Sequence, residues 1–246
     1  MKALTIKPIG VLLVFLATSS ASYAQDPHVV VTPVDVVILT DWSIFFSSSD
    51  GAHHAGPPVQ SAAQQTRNRG EMTPPPSAAA TRAVKTEFVA PLRESSTELG
   101  RIAEQILSSP GLQSSYRNEL TTNGFDDEHL ADVVAAFTLA IYFVAHEDST
   151  QISAASAAER RAMQSAVRDT LISYLPPTIS ERDLRVVLEV TQAEHMLLTQ
   201  LWNRALRGSS TEKRQIKEAL LKRAEDFALV NVMASKLDAH KGFIER

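Results

Sequence analysis

An all-α bundle of about five or six helices, preceded by a short extended arm and a disordered linker, is the fold this sequence predicts. Three observations predict it. From Ser95 onward, apolar residues recur at helical spacing in segment after segment. Beyond Pro91 only Pro110, Pro176 and Pro177 remain, each where a helix should end. The run Val133 to Ala145, broken only by Thr138, is apolar on every side, as in a helix buried all round. At about 13 residues it is shorter than the roughly 20 needed to cross a bilayer.

The N-terminal residues serve a different purpose. Lys2 and Lys7 precede the apolar stretch Ile9 to Ala17, and Ser22-Tyr23-Ala24 places small residues at positions −3 and −1 of a cleavage site. This is the pattern of a secretory signal peptide over residues 1–24. The formal net charge is −4, and losing Lys2 and Lys7 takes it to −6. That acidity argues against nucleic acid and against attachment to anionic lipid. With no cysteine in the chain, a lipidated N-terminal Cys, disulfides, a thiol nucleophile and thiolate metal sites are excluded. No stable membrane anchor is expected once the signal is removed.

Residues 25–46 read as an apolar arm. Val29 to Thr32 and Val36 to Thr40 are rich in β-branched residues and strand-prone, Pro33 separates them, and Asp41 to Phe46 adds an aromatic cluster. Residues 47–91 read as a disordered linker rich in Pro, Ala and Ser, without apolar periodicity to offset the cost of ordering. His53 and His54 lie in it with no further ligand nearby in sequence.

The helical domain is placed at residues 92–246. Its first helix is expected from a capping box at Ser95 to Glu98, with Leu99, Ile102, Ala103 and Ile106 on one face. A second runs from about Leu112 to Thr122 and stops at Asn123-Gly124. The central helix starts at Asp126 or Asp127 and ends near His146. Ser156 to Glu159 opens the next, which packs through Met163, Val167 and Leu171 and stops before Pro176. A long helix follows from Ser180 to about Arg207, with Leu184, Val187, Leu188, Leu198, Leu201, Trp202 and Ala205 inward. The last is expected from Ser209 to just before Gly242, with Leu237 on its inner side.

No catalytic motif is present: there is no G-x-S-x-G, no H-E-x-x-H and no glycine-rich phosphate or dinucleotide loop. Nothing calls for a cofactor or a metal. The strongest polar constellation is Glu194 and His195 with Thr191, midway along the long helix. A carboxylate and an imidazole there could serve as base and acid, or bind metal with His129 or His146. Adjacent helix positions diverge by about 100°, however, so Glu194 and His195 cannot easily hold one ion together. The plainer expectation is a core histidine with one hydrogen-bond partner, and a glutamate that reaches a neighbouring cation. Asp132 shares a small-residue line with Ala136 and Ala140, where its carboxylate is expected to accept backbone N–H groups from a neighbouring helix.

Glu119-Leu120, Gly124-Phe125 and Leu130-Ala131-Asp132, with the alanine-rich helix after them, resemble a family of exported bacterial helical proteins known as a domain of unknown function. The likeness covers roughly Phe88 to Phe243; residues Leu237 to Arg246 lack the family's Gly-Leu-Asp type of ending. The resemblance implies export and an all-helical fold, and it implies no activity. The function expected is therefore a non-enzymatic module that binds a protein partner or self-associates through Val29 to Phe46. The alternatives are a hydrolase or metal-dependent enzyme using Glu194 and His195, and a carrier of an apolar ligand.

Sequencing the N-terminus of the exported protein should return Gln25. An intact Met1 on a membrane-bound form would contradict the signal-peptide reading.

Overall fold

A computed structural model describes residues 66–68, 71–147, 149–175, 178–227 and 235–245. The signal peptide, the apolar arm and the His53-His54 pair lie outside the described residues. Eight α-helices are described: α1 (Ala78–Val84), α2 (Ala90–Ser95), α3 (Thr97–Ser108), α4 (Pro110–Thr122), α5 (Leu130–Glu147), α6 (Ala157–Tyr174), α7 (Glu181–Ala205) and α8 (Ser210–Phe227). Four short strands accompany them: β1 (Thr66–Asn68), β2 (Thr178–Ser180), β3 (Ser235–Asp238) and β4 (Gly242–Glu245). β1 pairs antiparallel with β2, and β3 with β4.

The fold is all-α. Each of the six expected helices is present, and two more precede them. The sequence places residues 78–91 in the linker and 92–95 in the approach to the first helix, but they form α1 and α2, joined by a π-helical turn at Lys85–Val89. Ser77 caps α1 by accepting from the Ala80 N–H. Ala80, Ala83, Val84, Phe88, Val89 and Leu92 are buried, a helical period carried by two alanines and four larger apolar side chains. Pro91 does not end the linker; it occupies the first turn of α2, directly after the π turn. A proline lacks the N–H and crowds the preceding turn, so a locally widened turn before it relieves the conflict. Ser96, not Ser95, then caps α3, accepting from the Leu99 N–H.

Caps fix the other boundaries. After α4, the Phe125 N–H bonds to the Leu120 carbonyl and the Gly124 N–H to that of Thr121, a Schellman closure with Gly124 at φ +80°. The central helix α5 starts at Leu130, four residues later than expected at the earliest. Residues 126–129 form turns instead, and the Leu130 N–H bonds to the Met72 carbonyl. Ser156 and Glu159 complete a reciprocal capping box on α6. Ser180 caps α7 by accepting from the Asp183 N–H.

The last element differs most from expectation. α8 ends at Phe227, and Leu237 lies in a strand rather than a helix. Asp238 Oδ1 accepts from the N–H groups of His240 and Lys241, and Gly242 takes φ +78°. Together they close the β3–β4 turn, which a continuous helix would have to break. Gly242 also lies against α6, where an added Cβ would stand 3.2 Å from that of Ala166.

Among the described residues, two hydrophobic clusters form the core. The first surrounds α5 and draws on α4, α6, α7 and Leu237. The second joins α1, the π turn, α2 and α3 to α7. α7 serves both: Leu184, Leu188, Leu198 and Trp202 enter the first, while Val186, Val190, Ala193, Leu197 and Leu201 enter the second. α2 and α3 approach closely at Gly100, where an added Cβ would fall 2.7 Å from the Arg93 Cα.

Because Met72, Ala80, Ala83 and Val84 are buried, a chain beginning at Glu71 should melt cooperatively, whereas one beginning at Phe88 should lose stability on the order of 3 kcal/mol or more. Equal denaturant midpoints for the two would contradict this packing.

Candidate functional site

The residues singled out from the sequence distribute along α5 and α7 and do not converge. Asp132 stands in the first turn of α5, His146 in its last. Fourteen residues of helix separate them, about 21 Å at 1.5 Å per residue. His195 meets α5 between them, beside Phe137. Among the described residues, no three His, Asp or Glu side chains are placed to share a metal ion.

His195 is 1% exposed. Its ring stands edge-on to Tyr116 of α4, with centroids 5.2 Å apart, and tilted to Phe137 of α5 at 5.8 Å. Neither ring nitrogen finds a hydrogen-bond partner among the described residues, and neither does the Tyr116 hydroxyl. The expected single hydrogen-bond partner is therefore not there: the imidazole is held by aromatic packing. Burial pushes its pKa down to about 3, so it is neutral at physiological pH. Burial first, then the charges of Asp127 and Glu119, hold the Tyr116 hydroxyl well above its ordinary range, so it too stays neutral. The Tyr116 ring was not singled out from the sequence, because a tyrosine at helical spacing reads as ordinary core.

Glu194 is also buried, on the adjoining face of α7 toward the side that carries the second cluster. Thr191 is satisfied within its own helix, donating to the Val187 carbonyl at 2.8 Å. Glu194 and His195 thus diverge as the helical geometry requires, and form no acid–base pair at an open surface.

Asp132 is a structural group. Its Oδ2 accepts from the Asp126 N–H and from the Gln164 side-chain amide of α6, at 2.9 and 3.0 Å. Its Oδ1 lies 3.2 Å from His129 Nδ1. The backbone N–H it accepts comes from the loop before its own helix, not from a neighbouring helix as expected. Burial alone would raise its pKa, but His129, the Asp126 N–H and Gln164 outweigh it and hold the carboxyl below its usual range. His146 packs its ring on Tyr142 at 4.6 Å, and Tyr142 in turn packs on Phe243 of β4.

One concave surface is lined by charge. Between α3, α4 and the end of α7 lies a cleft of about 220 Å3. Ile102, Ile106, Leu112 and Leu201 give it an apolar floor, and Arg101, Arg204 and Arg207 stand around it with Glu98. Arg204 is engaged with Glu98 and with Glu212 of α8. Arg101 makes no ion pair among the described residues, and the Arg207 Nε donates only to the Asn203 carbonyl of its own helix.

The chain matches no protein-family model, no curated protein and no solved structure.

The His195 environment has a sign that can be tested. Its folded pKa lies below the value near 6.5 of an unfolded histidine. The unfolded chain therefore takes up a proton first, and the contribution to stability, complete above about pH 6.5, is lost as pH falls toward 3. The slope attributable to this one group is about 1.4 kcal/mol per pH unit. In His195→Leu that slope should vanish from the pH dependence of unfolding, with stability at pH 8 changed by less than about 1.5 kcal/mol. An unchanged slope, or a loss at pH 8 well above that figure, would show that the imidazole has a bonded role.

Proposed function

We propose that this is an exported, non-enzymatic helical module that binds protein, itself included, through the apolar segment Val29 to Phe46. Export follows the signal-peptide pattern and the resemblance to exported helical proteins. The observation that carries the non-enzymatic reading is the enclosure of His195 between Tyr116 and Phe137. A general acid or base must reach a substrate proton, and a wholly buried neutral imidazole reaches none. Asp132 and Thr191 are committed to backbone and side-chain partners that set local structure. Carriage of an apolar ligand beside Phe137 and Trp202 has little to rest on, because both side chains sit inside the packed first cluster.

The binding half of the reading rests on residues 29–46. Twelve of them are large apolar or aromatic, among them Val30, Val36, Val37, Ile38, Leu39, Trp42, Ile44, Phe45 and Phe46. A lone strand or two-stranded hairpin of that composition is marginal in water and needs a surface to lie against.

Sedimentation of the mature chain across concentrations, beside a Val37→Ser, Leu39→Ser, Phe45→Ser variant, tests it. Association that weakens in the variant is the expected result. Identical monomeric behaviour of both, together with no protein crosslinked in the native compartment, would overturn the reading.

A further inference from the structure

We propose that the arginine-rimmed cleft between α3, α4 and α7 receives the segment Asp35 to Phe46 of a second copy of the chain. The inference rests on the self-association reading above and adds the surface that is occupied.

Charge is the first argument. Asp26, Asp35 and Asp41 are the charged groups between Gln25 and Phe46, and no Lys or Arg occurs between Lys7 and Arg67. The segment is therefore apolar and acidic at once. The cleft is its complement: an apolar floor under guanidinium groups, with Arg101 and Arg207 both exposed and neither paired to a carboxylate among the described residues. Glu98, the one acid of the lining, is already held by Arg204. The side-chain amides of Gln105 and Gln200 also line the cleft, and they suit the backbone of an extended segment, which needs both donors and acceptors. Leu206, the large apolar residue left exposed among the described residues, adjoins Arg207 at the same end of α7.

Chain length is the second argument, and it favours a second copy as the concentration of the chain rises. Thr66 pairs with Ser180, immediately before α7 begins. The cleft lies at the far end of α7, where Gln200, Leu201 and Arg204 line it. That is about 30–36 Å along the helix at 1.5 Å per residue. From Phe46 to Thr66 is 20 residues, with a typical span of about 22–27 Å as a flexible chain. The segment on its own copy would have to reach past its typical span, which lowers its effective concentration at the cleft. A two-fold pair of chains escapes this constraint and makes the contact twice.

The test uses full mature chains. Arg101→Glu with Arg207→Glu, and separately Asp35→Lys with Asp41→Lys, should each weaken dimerisation by about tenfold or more in sedimentation, with unchanged helical circular dichroism. Mixing the two variants should restore a dimer, because each then offers the charge the other lacks. Dimerisation that is unaffected by the arginine reversals, while the Val37→Ser, Leu39→Ser, Phe45→Ser variant still loses it, would overturn the cleft and leave the self-association reading standing. A mixture that stays monomeric would overturn the pairing of segment with cleft. Amide protection of residues 35–46 in a strictly monomeric chain, abolished by the arginine reversals, would place the segment on its own copy and overturn the exchange. A wild-type chain that never associates would remove the self-association reading and this inference with it.

Discussion

α7 is buried on two faces, and most of the architecture follows from that constraint. A helix with a single apolar stripe needs one partner layer; a helix with two needs one on each side. Leu184, Leu188, Leu198 and Trp202 call for the α4–α5–α6 layer, and Val186, Val190, Leu197 and Leu201 call for α1, α2 and α3. Without residues 78–95 the second face would be only partly covered. That explains why an alanine-rich segment is drawn into the core, and why α2 and α3 must meet so closely that only a glycine fits at position 100.

The start of α7 is tied to the loop before α5 by ions as well as by the apolar packing of Leu184 and Leu188. Arg185, 8% exposed, pairs with Glu128 in the loop before α5 and with Glu189 one turn along its own helix. Glu189 also accepts from Thr81 of α1. Gln192 donates to the Asp127 carbonyl, and Arg117 of α4 bonds the Asp127 carboxylate. Asp132 and Gln164 hold the same loop from the other side. A buried cation shared by two carboxylates adds little net stability compared with a well-packed apolar replacement, but breaking one arm of it leaves a costly uncompensated charge. Such a network therefore specifies which loop lies where more than it strengthens the fold.

This arrangement separates polar groups into two kinds. Those inside, His195 and Tyr116, are kept neutral by burial and packed as aromatic surface. Those at the margins, such as Asp132 and Arg185, are consumed in fixing loops and helix ends. What remains uncommitted on a concave surface is basic, in a chain that is acidic as a whole. Uncommitted charge of the minority sign is a feature of recognition rather than of folding, which is the physical ground for the docking role proposed for the cleft.

The sequence by itself determined the helical class, the apolar centre at Val133 to Ala145, the inward face of α7 and the helix starts at Ser156 and Ser180. These depend on local period and on capping, in which each interaction spans three or four residues. Four things depended on contacts between segments distant in the chain. α1 and α2 are helical because α7 offers a surface to Ala80, Ala83, Val84, Phe88 and Leu92, whose period is interrupted by Pro91 and flanked by a segment without periodicity. α5 begins at Leu130 because residues 124–129 are bonded to Gln164, Gln192, Arg117 and Arg185. The chain turns into the β3–β4 hairpin because Leu237 and Phe243 find Tyr142 and the first cluster, and Gly242 fits against α6. His195 lacks a hydrogen bond because two aromatic rings from α4 and α5 reach it first. Local chemistry decides where a helix can start; only the packed neighbours decide which polar group is enclosed and which stays at the surface.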